Sequence, residues 1–281
     1  MSNTGKYEER YCLFLDILGF QSHVDDSVSA EKTTLKSMTF TKLKSALSGI
    51  SEGVNYKESI EISGKLRPSS RRVTQFSDSV VVSYLKNELN GAGMASMLWD
   101  AHTLQLQLIH RGILLRGAIS SGLLYHDESL VFGPAMNEAV QLEKLANYPR
   151  VIVDGQLLDE AWISRPERTR SSSGGGGTSS SLVKMDLDGL YFIDYFNVKP
   201  ENFSDDWDEV REYLVALRNL IKGLANKRAP SVKVKHSWLR TKFNEMAFAL
   251  EKSNFSDLGG FSVPQDDVEL FSEIRPFRHG R

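Results

Sequence analysis

The sequence predicts an α+β protein, with helices on one face of a mainly antiparallel sheet. Three observations carry this. Short β-rich runs recur along residues 11–18, 72–76, 79–84, 113–120, 130–132, 150–153 and 190–196. Stretches with apolar residues three and four apart lie between and after them. Only Ser77 and Asp78 separate the second run from the third, which reads as a hairpin with a two-residue turn.

Each element has its own reason. Residues 11–18, YCLFLDIL, form a near-continuous apolar run, as in a central strand covered on both faces, and Gly19 ends it. Residues 31–47 follow with Leu35, Met38, Leu43 and Leu47 near helical spacing. Residues 51–70 are polar and contain Gly53, Gly64 and Pro68, and so read as a loop or weak strand. The hairpin comes next and places Asp78 at its tip. Residues 91–110 form a helix marked by Met94, Met97, Leu98, Ala101, Leu104 and Leu108, with Gly112 as its cap. After the strand at 113–120, Pro134 opens a helix to about residue 147, because its fixed φ suits a first turn. Trp207, Val210, Leu214, Leu217, Ile221 and Leu224 mark one late helix. Leu239, Phe243, Met246 and Leu250 mark another, and Pro230 separates the two.

Composition excludes several classes. The chain has 281 residues, 34 basic against 36 acidic, and a formal net charge of −2, unlike a dedicated nucleic-acid binder. Its one cysteine, Cys12, rules out a disulfide framework and a cysteine-rich zinc site. No apolar run approaches the roughly 18 residues of a membrane span, and the polar N-terminus lacks a signal core. The expected setting is cytoplasmic, with no nucleic acid and no membrane. Residues 165–181, RPERTRSSSGGGGTSSS, read as a flexible inserted loop. The expected division is a domain at 1–196 and a C-terminal helical extension at 197–281.

Two carboxylates stand out. Asp16 interrupts an apolar strand, where an unpaired charge costs several kcal/mol, so it needs a cation, a proton or an opening to solvent. A salt-bridged structural aspartate is the bland alternative. Asp78 at a hairpin turn is ordinary by itself, since Asp bonds locally in turns. If the two strands pair, however, both carboxylates meet at one sheet end. Such a pair suits Mg²⁺ or Mn²⁺, which keep waters and take phosphate oxygens as further ligands.

FLDILGF, the hairpin aspartate in FSDS, the strand RGAISSG and the segment VFGPAMNEAVQLEKLA together resemble the class III nucleotidyl cyclase homology domain, over about residues 8–155. The continuation LEKLANYPRVIVD and the tail KHSWLRTKFNEM are similar to the bacterial Pycsar pyrimidine cyclases. The resemblance implies a ferredoxin-like (palm) sheet completed by residues 182–196. It implies that Asp16, Asp78 and the carbonyl of Ile17 hold two divalent ions, Mn²⁺ or Mg²⁺, and that Arg116 contacts the triphosphate. Asn137 would position the ribose. The family's transition-state arginine falls at Gln141, which keeps the helix face but not the charge; Lys144 or Arg150 could substitute, or the site could be degenerate. Thr74 and Leu130 fit neither purine set, so the implied substrate is UTP or CTP, with UTP favoured. The implied assembly is a homodimer with sites at its interface. Its cyclic product would act on a separate effector in anti-phage defence. A catalytically degenerate nucleotide-sensing or dimerisation module is the alternative. A palm-type dinucleotide synthase has less support, because no GGDEF-like sequence is present.

Overall fold

The structure, a computed structural model, describes residues 6–29, 33–55, 59–62, 65–88, 92–160 and 182–278. The Gly/Ser-rich segment at 165–181 lies outside them. The chain divides into two compact units: residues 1–104 with 114–193, and residues 105–113 with 194–281.

The elements of the first unit begin with β1 (Glu8–Ile17), α1 (Phe20–Ser29) and α2 (Thr33–Asn55). A small hairpin follows, β2 (Ser59–Ile62) and β3 (Lys65–Pro68), where a loop or weak strand was expected. Then come β4 (Arg72–Phe76), β5 (Ser79–Leu85), α3 (Ala92–His110, which belongs to the second unit from Gln105 on), β6 (Leu115–His126) and β7 (Val131–Phe132). The unit ends with α4 (Pro134–Leu145), β8 (Val151–Val153), α5 (Gly155–Glu160), β9 (Val183–Met185) and β10 (Tyr191–Ile193).

The main sheet runs β4-β5-β1-β6-β8-β10-β9, with β7 paired to β6. Every described pairing in it is antiparallel except β6 with β8. The class is therefore α+β, with the central strand where the apolar run placed it. Leu13, Leu15 and Ile17 of β1 are at most 2% exposed, and each such side chain contributes roughly 1.5–3 kcal/mol by burial.

Alternation along β1 sends Arg10, Cys12, Phe14 and Asp16 to the other face. Cys12 packs there with Val81, Leu124 and Val131 and with Ala135 and Ala139 of α4. Burial pushes the Cys12 thiol up to about 12, so it behaves as a small apolar residue. Tyr84, one residue along from Ser83, faces the opposite side, and its hydroxyl donates to Asp100 Oδ2 of α3 at 2.9 Å. Helices therefore lie on both faces, a correction to the expected single helical layer. Both faces of the central strands are apolar, so each needs a cover.

Two glycines allow close approach. A side chain on Gly117 of β6 would collide with the Phe14 carbonyl. Gly133, at φ 146, precedes Pro134, and a Cβ there would lie 2.7 Å from the Leu123 carbonyl. The first lets β6 lie close against β1, and the second lets α4 start tightly against β6.

The second unit contains a 3₁₀ turn (Pro200–Phe203), α6 (Trp207–Leu224), α7 (Pro230–Lys252), the short pair β11 (Asp257–Leu258) and β12 (Phe261–Ser262), and α8 (Val268–Phe271). Val210, Leu214, Leu217 and Ile221 of α6 are fully buried, as the three-and-four spacing predicts. Asp206 caps α6 by accepting from the amide of Asp208 at 2.8 Å. The Tyr213 hydroxyl donates to the Tyr195 carbonyl at 2.9 Å. Phe196 meets Trp238 edge-on, with ring centroids 5.8 Å apart. Among the described residues, no helix is long and apolar enough to cross a membrane.

Candidate active site

The register brings the two aspartates together. Asp16 stands opposite Ser79 of β5 and opposite Arg116 of β6. Asp78 immediately precedes Ser79, and its carbonyl accepts from the Ile17 amide at 3.0 Å. The turn is the expected Ser77–Asp78 pair between Phe76 and Ser79. Ser77 adopts φ 50, a left-handed conformation that glycine would take without cost.

The electrostatics of this sheet end are unbalanced. Arg116 Nη2 lies 3.9 Å from Asp16 Oδ2, and Arg116 Nε is in direct ion-pair contact with Glu143 Oε1 of α4. Neither of those two atoms makes an aligned hydrogen bond. Asp16 and Glu143 thus share one guanidinium, and Asp78 adds a third negative charge near Asp16. Burial, then the charges of Asp78 and Glu143, push the Asp16 carboxyl up to about 6, against the opposing pull of Arg116 and a long 3.5 Å hydrogen bond from Ser79. An added cation would relieve that excess of negative charge.

Among the described residues, no group of three or more His, Cys, Asp or Glu side chains is arranged to hold a metal ion by itself. A two-carboxylate donor set fits only a hard ion that takes its remaining ligands from water or a phosphate. The residues present fit Mg²⁺ or Mn²⁺ in that sense. Ile17, the expected carbonyl ligand, is 2% exposed at the end of β1.

Sequence reasoning overlooked Glu143. The signal was a carboxylate on the buried stripe of α4: the residues buried on this helix are Ala135, Ala139 and Glu143. The expected stripe ran through Met136, Ala139, Leu142 and Ala146, and of these Met136 and Leu142 are only half-buried.

The other expected site residues lie elsewhere. Asn137 and Gln141 share the exposed face of α4. Leu130 is 56% exposed. Its amide donates to Asp127 Oδ1 at 2.8 Å in a turn that also takes the Ser129 amide. Thr74 stands in register with Val81, two strands from Phe14, and is buried. Among the described residues, no hydrogen bond or ion pair joins Leu130, Asn137 or Gln141 to Asp16, Asp78 or Arg116.

Arg150, named as a substitute cation, is fully buried. It donates to Asp186 Oδ2 at 2.5 Å and to both carboxylate oxygens of Asp188, and its Nε donates to the Ala146 carbonyl at 3.2 Å. A guanidinium so fully engaged is structural, which corrects that expectation. Lys144 remains exposed on α4.

No protein-family model matches the chain, and no curated protein is similar to it. Among solved structures, it is similar to the adenylyl cyclase CyaB from P. aeruginosa at 12% identity and TM-score 0.40, over 67% of this chain and 95% of that one. It is similar to a class III adenylyl cyclase-like ATP-binding protein from Pseudomonas aeruginosa at 12% identity and TM-score 0.37, over 56% and 36% of the two chains. It is also similar to the guanylyl cyclase Cya2 at 12% identity and TM-score 0.36, over 69% and 95%. At that level the likeness carries no weight, and the site stands on its own residues.

Proposed function

We propose that the chain is a pyrimidine nucleotide cyclase that converts UTP or CTP to the 3′,5′-cyclic mononucleotide and pyrophosphate. The observation that carries this reading is the convergence of Asp16 and Asp78 at one sheet end, where Arg116 pairs with Asp16 and Glu143. Asp16, Asp78 and the Ile17 carbonyl would hold divalent ions, Mn²⁺ or Mg²⁺. Bound there, the ions would acidify the ribose 3′-hydroxyl and neutralise charge on the triphosphate.

The chain's own groups supply the rest. Arg116 is placed beside Asp16, where its planar fork suits phosphate oxygens. The 3′-oxygen loses its proton and attacks the α-phosphorus; the new P–O bond forms as the bond to the leaving pyrophosphate breaks. Thr74 and Leu130 would face the base, with Asn137 and Gln141 toward the ribose and phosphates. Exposure of Leu130, Asn137 and Gln141 supports their serving a second copy of the chain. Tyr7, Leu123, Leu130 and Phe132, on or near β6 and β7, are exposed apolar side chains, and Phe132 contacts both Tyr7 and Tyr125. Exposed apolar clusters mark association surfaces, and a twofold dimer would make two equivalent sites. The product would be a second messenger for a separate effector in anti-phage defence, a role that rests on the sequence resemblance alone.

One observation favours the catalytically degenerate reading. Gln141 brings no charge, and Arg150 is not free to replace it. The test is turnover. Purified protein with Mn²⁺ should release pyrophosphate and a cyclic pyrimidine mononucleotide from UTP or CTP, and Asp16→Asn and Asp78→Asn should lose at least 100-fold, roughly the cost of removing one key electrostatic group. Binding of nucleotide without turnover in the wild type would establish the sensing module instead.

A further inference from the structure

The chain's charge is segregated along its length. Residues 213–244 hold eight Lys and Arg and no Asp or Glu, so 26 basic residues face all 36 acidic ones elsewhere. The near-neutral total, which argues against a dedicated nucleic-acid binder, averages over this contrast. Four of the eight, Lys222, Lys227, Arg228 and Lys233, are exposed. The connection from Leu224 to Pro230 is short, so α6 and α7 form a hairpin with all four cations at its tip. Among the described residues no carboxylate forms an ion pair with any of them, whereas Arg211 and Lys242 are paired with Glu273 and Glu245.

The placement opposes local stability. A cation in the last turn of α6 suits the helix dipole, but cations at the start of α7 do not. Lys227 and Arg228 precede α7, and Lys233 and Lys235 follow its first turn. Ala229 supplies no side-chain cap, and the first turn holds no acidic residue. Along the helix axes Glu212 and Glu245 lie about 15 Å from Lys222 and about 18 Å from Lys233, at 1.5 Å per residue, beyond a screening length of about 8 Å. A cluster of like charge that contradicts its own helix marks a functional surface, and the anion that balances it comes from outside.

The apolar groups decide which polyanion fits. Helices that lie on an anionic lipid surface add inserted Trp, Phe or Leu side chains to their cations. Over residues 222–240 the exposed apolar side chains are Ala225, Ala229, Pro230 and Val234, and the one large aromatic, Trp238, is buried. A phosphodiester backbone needs only spaced cations in water. We infer that the α6–α7 tip, through Lys222, Lys227, Arg228 and Lys233, binds the phosphate backbone of a nucleic acid without reading its sequence.

The test is fluorescence anisotropy of the full chain, without nucleotide or Mn²⁺, on a mixed-sequence DNA duplex of about 20 base pairs. Four phosphate contacts give a log–log salt slope of about −3.6, so affinity should fall roughly 150-fold between about 50 and 200 mM KCl. Each single change to Gln should flatten the slope by about 1. All four together should weaken binding at least about ten-fold at the lower salt, with the fold verified by melting. Changing Lys6, Lys44, Lys184 and Lys252, which are exposed elsewhere, removes the same charge and should leave affinity within about two-fold. No duplex binding by the wild type at the lower salt overturns the inference, and so do equal losses in the two quadruple variants. Binding to phosphatidylserine vesicles without binding to the duplex also overturns it, and assigns the tip to a membrane. Asp16→Asn should bind the duplex as the wild type does, so failure of the cyclase reading is distinguishable from failure of this one.

Discussion

Acid should destabilise the protein through His126, and the size of the effect can be worked out. Its ring is buried between Thr74 and Ser83, with Arg10 and Arg72 near and Asp127 as the opposing charge, and burial holds its pKa down to about 3. In the unfolded chain the same ring titrates near its ordinary 6.5. The folded state therefore binds fewer protons than the unfolded state between those values. Stability from this group is fully present above pH 6.5 and is lost as pH falls toward 3. At pH 5 the loss is about 2 kcal/mol relative to pH 7.5, from about 1.5 pH units at 1.36 kcal/mol each. That corresponds to a fall in Tm of about 4–8 °C for a protein of this size.

Asp16 acts with the opposite sign. Its raised pKa, about 6, makes its contribution fully present below the ordinary 3.8 and lost as pH rises through 6. Acidification to pH 5 then restores on the order of 1 kcal/mol or less after solvent screening. The informative measurement is therefore the difference between wild type and His126→Gln, which keeps hydrogen-bonding capacity without the charge. Melting at pH 7.5 and pH 5 in matched buffers should show the wild type losing about 2 kcal/mol more than the variant. Equal losses in the two proteins would refute the argument.

Two further outcomes follow from the same geometry. Arg150→Met should destabilise the chain by about 3–5 kcal/mol, because Asp186 and Asp188 lose the guanidinium between them; urea unfolding showing less than about 1 kcal/mol would contradict a structural role. Glu143→Gln should lower KM several-fold by releasing Arg116 to phosphate, and should lower kcat roughly ten-fold by loosening its position; steady-state kinetics with UTP should show both changes, and a rise in KM would refute the competition.

The site's legibility was uneven for physical reasons. Asp16 could be read because a carboxylate in YCLFLDIL violates the strand's own pattern, and Asp78 because a two-residue turn fixes its place. Their meeting needed only β1 and β5 to pair, which the apolar runs favour. Glu143 could not be read so easily. In α4 it sits among exposed polar residues, and an alanine-based stripe is too weak a signal to show which side is buried. Arg150 looked available because sequence gives its neighbours along the chain, whereas its partners, Asp186 and Asp188, lie across a segment of more than thirty residues.

Local pattern alone determined the α+β class, the central strand, the hairpin tip and the late helices, since periodicity and turn chemistry act over a few residues. Only the tertiary structure decided which charges share a guanidinium, that helices cover both faces, and that Arg10, Ser83, His126 and Thr74 meet in one buried cluster. Those are consequences of register and packing, and pairing energies between strands distant in sequence are not encoded in any single stretch of it.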